Sequence, residues 1–153
     1  WVRAGVRSVR LLAGRQVSPF IMSYLVILVA ALAAFFIGFL WHGPVFGKTW
    51  IRLSGMTDAQ MKEAQEQGMG QTMGLAFIQQ LLTAYVLAQF SYAWGAAGVG
   101  GALLVAFWSW LLVALVLLNG VLWERRSTGL YLFNLAYYLV LFSVISLMVT
   151  LWR

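Results

Sequence analysis

Charged positions divide this chain on the length scale of a bilayer. No Asp, Glu, Lys or Arg occurs in residues 16–47, 67–123 or 127–152, blocks of 32, 57 and 26 residues. A membrane span needs about 20 apolar residues at 1.5 Å each, so the outer blocks each hold one helix and the middle block holds two. Gly95, Gly98, Gly100 and Gly101 divide that middle block. The pattern therefore predicts spans at 19–41, 70–94, 101–123 and 128–152, an all-α, membrane-embedded four-helix bundle. The turn between the second and third spans carries no charge and must be short, which makes those two helices an antiparallel pair. Trp41, Trp50, Trp94, Trp123 and Trp152 fall near the span ends, as aromatic belts do.

The first loop breaks the apolar pattern and contains a short amphipathic helix, expected over 58–67. Thr57 as N-cap with Gln60 three residues later forms a capping box, and Met56 with Met61 forms a hydrophobic staple. Asp58 suits the positive end of the helix dipole. Before the bundle domain at 18–153, residues 1–17 make a basic tail in which Arg3, Arg7 and Arg10 repeat at helical spacing. That tail reads either as an interfacial helix on anionic headgroups or as a leader upstream of a start at Met22. Lys and Arg number five on each side of the membrane with the tail and one against five without its four arginines, the latter placing the first and third loops in the cytoplasm.

Composition narrows the chemistry. The chain is 63% hydrophobic and 9% charged, against about 25% charged in soluble domains. It has no cysteine, so disulfides, iron–sulfur clusters and thiolate zinc sites are excluded. His42 is the single histidine, and Asp58, Glu63, Glu66 and Glu124 are the only acids, so no metal and no cofactor is expected. The net charge of +6 suits anionic lipid headgroups, which makes membrane lipid the expected partner and bound lipid an expected companion, and no nucleic-acid-binding fold accompanies it.

Polar residues inside the spans are the remaining signal. Gln79, Gln80, Thr83 and Gln89 crowd the second span, and each costs free energy in hydrocarbon unless bonded. Gln79, Thr83, Asn119, Asn134 and Tyr137 are the expected lining of a polar cavity, with Ser143, Ser146 and Thr150 extending the inward face. Interhelical hydrogen bonding is the plainer role for the same groups. Ala30, Ala34 and Gly38, and again Gly98, Ala102 and Ala106, form small-residue stripes along which another helix can approach. Glu124 is expected to form an ion pair with Lys48, Arg52 or Arg126 that joins the first and third loops.

The most specific local pattern runs Trp41-His42-Gly43-Pro44-Val45-Phe46-Gly47-Lys48-Thr49-Trp50, where Pro44 and the glycines interrupt the helix and the rings sit at headgroup depth. With Leu122-Trp123-Glu124-Arg125-Arg126 and Asn134-Leu135-Ala136-Tyr137, it resembles a family of small bacterial integral membrane proteins classed only as a domain of unknown function. The resemblance covers residues 23–152 and implies four spans and a bacterial inner-membrane location, but no reaction, substrate or cofactor.

Three functions compete. The first is a non-enzymatic accessory or self-associating subunit of a membrane complex, supported by the small-residue stripes and by the lack of a catalytic constellation. The second is a small transporter or lipophilic-ligand-binding bundle built on the polar cavity. The third is a membrane enzyme of lipophilic substrates with His42 or Tyr137 as proton donor, for which no nucleophile, base and oxyanion site assemble.

Overall fold

A computed structural model describes residues 19–66 and 68–152. The elements in order are α1 (Pro19–Leu40), a widened π turn (Trp41–Val45), α2 (Gly47–Ser54), α3 (Asp58–Glu66), α4 (Met69–Ala93), α5 (Gly98–Leu122) and α6 (Thr128–Leu151). Among the described residues, four helices are long and apolar enough to cross a membrane, so the chain is an integral membrane protein with an all-helical bundle. The basic tail at 1–17 and the Met22 question lie outside or at the margin of the described residues.

Local chemistry sets each boundary. At Gly43 the backbone leaves helical geometry (φ −108°, ψ −108°), and Pro44 follows with no N–H to give. The chain doubles back so tightly that a Cβ on Gly47 would lie 2.9 Å from the His42 carbonyl oxygen. α2 stops at Gly55 in the left-handed region (φ 68°). α3 starts as expected: the Gln60 N–H donates to Thr57 Oγ1 (3.3 Å) and the Thr57 N–H donates to Gln60 Oε1 (3.0 Å), a reciprocal capping box. α4 closes in a Schellman motif, with Gly95 at φ 59°, the Ala96 N–H on the Ser91 carbonyl (2.9 Å) and the Gly95 N–H on the Tyr92 carbonyl (3.1 Å). α6 is capped by Ser127, whose Oγ accepts from the Gly129 N–H at 3.2 Å. Trp94, Trp123 and Trp152 occupy the C-cap positions of the three later spans.

Two expectations need correction. The first loop holds two short helices rather than one, because α2 precedes the capped helix. The third span begins at Gly98, three residues earlier than expected, since Gly98 (φ 64°) takes a turn conformation that other residues resist.

α6 is the hub of the bundle. It packs most extensively on α5 and also on α1 and α4, while α1 packs closely on α4. The α4–α5 pair, joined by the short turn, makes the slightest of these contacts. Ala30, Ala31, Ala34, Ala84 and Ala102 are wholly buried among Ile27, Leu87, Val105, Leu141 and Ile145. The small-residue stripes of α1 and α5 thus pack the protomer's own helices, with Gly98 alone of the six exposed. Polar ties reinforce the hub: Ser91 and Thr150 hydroxyls bond at 2.7 Å, Trp110 Nε1 donates to the Leu135 carbonyl at 2.8 Å, and Tyr131 donates to the Ala114 carbonyl at 3.3 Å.

Candidate functional site

The kink after α1 turns the motif's rings inward. Because Gly43 breaks the helix, His42 swings onto α6, where its ring meets Tyr137 edge to face at 4.7 Å between centroids and also meets Phe133 at 5.9 Å. Trp50 of α2 closes on the other side of His42 at 5.9 Å, and Phe46 packs on Trp41 at 4.8 Å. The motif therefore docks onto α6 through its rings. Trp41, His42 and Trp50 are half-buried in it, while Pro44, Phe46 and Lys48 remain exposed.

A cleft of about 380 Å³ opens beside this dock, between the end of α1, the first half of α4 and the middle of α6. Phe35, Gly38, Phe39 and His42 form one wall, Thr72, Met73, Ala76, Gln79 and Gln80 a second, and Tyr137 and Tyr138 a third. Tyr137 sits nine residues into α6, about 14 Å below its first turn at 1.5 Å per residue, so the cleft reaches well into the apolar zone. Among the described residues, no Asp, Glu, Lys or Arg lines it.

Its polar atoms are few and placed by packing. Gln80 Nε2 donates to the Tyr137 hydroxyl at 3.4 Å. That hydroxyl lies against α1, where a Cβ on Gly38 would approach it to 2.9 Å, so a glycine is needed for the contact. His42 Nδ1 donates to the Gly38 carbonyl at 3.2 Å; a carbonyl can only accept, so the neutral imidazole keeps its lone pair on Nε2. Gln80 Oε1 and Trp41 Nε1 are sealed from solvent and have no hydrogen-bond partner among the described residues. Among the described residues no three His, Cys, Asp or Glu side chains gather where they would hold a metal.

Of the cavity residues expected from sequence, the cleft gathers Tyr137 and, at its rim, the exposed Gln79. It does not gather Thr83, Asn119 or Asn134. Thr83 returns its hydroxyl to the Gln79 carbonyl of its own helix at 2.9 Å, Asn134 is half-buried, and Asn119 is exposed one turn from the end of α5. The residue that sequence reasoning left out of the cavity is Gln80. Its signal was present: Gln80, Ala84, Leu87 and Ser91, spaced by four, three and four, are all buried and define the inward face of α4, about 100° from Gln79. Ser146 and Thr150 are buried on α6 as expected, whereas Ser143 bonds the Leu139 carbonyl within its helix.

Of the three partners expected for Glu124, Arg126 takes the pair, but it does not join the loops. Glu124 Oε2 pairs with Arg126 Nε at 2.7 Å, inside the third loop, with both side chains more than half exposed. Arg125 in the left-handed region (φ 57°) folds the chain so that Arg126 returns over Gly120, and neither Lys48 nor Arg52 takes part. The first loop instead meets the start of α6 by apolar contact, with Leu53 of α2 against Gly129.

The sequence model of a family described as "Protein of unknown function (DUF1761)" matches residues 25–150. The chain belongs to that family. The match runs from the first buried turn of α1 to the last buried turn of α6 and so takes in every wall of the cleft. No curated protein and no solved structure matches the chain.

Proposed function

We propose that this chain is a non-enzymatic binding protein of the membrane, taking a lipophilic small molecule from the bilayer into the cleft between α1, α4 and α6. The observation that carries the reading is the cleft itself, 380 Å³ of space with ring-lined walls on which the polar groups of Gln80, Tyr137 and His42 converge. Ligand pockets have this character: mostly apolar, about 300–1,000 Å³, with a few polar atoms that fix orientation. An accessory role through the small-residue stripes has no comparable support, because those stripes pack α1 and α5 within the protomer. In a bacterium, a helical bundle with this composition belongs in the inner membrane, where helices rather than barrels are the rule.

The test is to fill the cleft. Ala76, half-buried at its wall one helical turn before Gln80, replaced by Trp fills the space from the α4 side. Protein purified in mild detergent and extracted into organic solvent should release a lipophilic molecule in stoichiometric amount, and Ala76→Trp should release at most about a tenth of it. Equal recovery from both proteins would overturn the reading.

A further inference from the structure

Resting on that reading, we infer that the cleft selects a neutral lipophile whose polar end is a hydroxyl, and rejects anionic lipids of either the fatty-acid or the phospholipid kind. The inference follows from matching donors and acceptors. Gln80 Oε1 is an acceptor without a partner, on an amide whose other end already donates to Tyr137. His42 Nε2 is a second acceptor, because Nδ1 carries the proton given to Gly38. The Tyr137 hydroxyl accepts from Gln80 and keeps its own proton to donate. A ligand group that meets the coupled pair, Gln80 Oε1 and the Tyr137 hydroxyl, must donate one hydrogen bond and accept one, and a hydroxyl is the smallest uncharged group that does both, its single proton going to Gln80 Oε1.

The alternatives fail on charge or on valence. A carboxylate or phosphate accepts only, so it would face an acceptor in Gln80 Oε1, and among the described residues no Lys or Arg lines the cleft to offset the cost of desolvating it. An ammonium donates but finds no carboxylate there. An ether or ester accepts only and leaves Gln80 Oε1 unsatisfied. Gln80 Oε1 is closed off from solvent, and the terminal torsion of a Gln side chain is soft, so a small turn of the amide presents the acceptor to a donor arriving in the cleft. The rings of Phe35, Phe39, Tyr137 and Tyr138 around these atoms accept an apolar or aromatic body.

The experiment uses the full chain in nanodiscs of zwitterionic lipid at pH 7, with three tritiated probes read by scintillation proximity and corrected for partition into the bilayer. They are 4-nonylphenol, its methyl ether and the 4-nonylbenzoate anion. The phenol should bind about tenfold or more tighter than the ether, the change expected for one buried hydrogen bond lost with its acceptor left unpaired, and the benzoate should bind weakest. In Gln80→Met, which keeps the length of the side chain and removes its polar end, phenol and ether should bind alike. Equal binding of phenol and ether to the unaltered chain, or tighter binding of the benzoate, overturns the ligand class while leaving the cleft a lipophile site. Saturable binding of none of the three overturns the proposed function itself. A tenfold preference that survives in Gln80→Met removes Gln80 from the recognition. The comparison on the unaltered chain stands whether or not that variant folds.

Discussion

Gly38 and Tyr137 share a volume that admits only one of two possible side chains. The hydroxyl sits where a Cβ on Gly38 would come within 2.9 Å, and the ring that carries it is buried among Trp41, His42 and Tyr138 and cannot yield freely. Replacing a mid-helix glycine by alanine normally gains up to about 1 kcal/mol, but overpacking costs about 1–3 kcal/mol. Gly38→Ala should therefore lose about 1 kcal/mol net in detergent unfolding, and the double variant with Tyr137→Phe should lose less than the sum of the two singles. Additive losses would mean that the hydroxyl does not press on α1. At the same scale, Glu124→Gln should change stability by less than about 1 kcal/mol, since the pair with Arg126 is exposed and ties no elements together. Individual polar residues were the least legible part of the sequence. Gln79 and Gln80 are chemically identical, and which one faces inward is set by the row Gln80 shares with Ala84, Leu87 and Ser91, a periodicity rather than a property of either side chain.

Elements were legible where local chemistry fixes them. Thr57 and Gln60 cap α3 through contacts three residues apart, so four residues of sequence suffice to locate the start. Because α3 makes few contacts with the other described helices, Thr57→Ala should loosen it ahead of the bundle. Hydrogen exchange in its amides should accelerate by roughly fivefold or more, for a cap worth about 1 kcal/mol, while the thermal midpoint of the bundle stays put. A matching drop in the midpoint would show that α3 is part of the core. α2 was not legible, because Phe46 at its N-cap makes no side-chain cap and the helix is held by contacts to residues far away in sequence, from Phe46 to Phe133 and from Leu53 to Gly129. The kink itself was legible from Gly43 and Pro44, but its consequence, the swing of His42 onto Tyr137, was not, since it depends on where α6 lies.

For the whole molecule, four spans and their order follow from the spacing of charges alone, whereas α6 as the hub emerges only from packing. The topology has a direct consequence that the absence of cysteine makes easy to check. Single cysteines at Lys62 and Arg125, both exposed, should be labelled by an impermeant maleimide from one side of sealed vesicles, and a cysteine at Ala97 from the other. The same whole-molecule view places the cleft where three spans meet the docked loop, and that placement is the centre of the account. An experimental structure of the full chain in a lipid nanodisc, purified without added ligand, tests it most directly. Density for a non-protein molecule is expected in the cleft, with a polar atom within hydrogen-bond distance of Gln80 or Tyr137. A cleft filled by the protein's own side chains, with Gln80 Oε1 bonded to another residue of the chain, would contradict it.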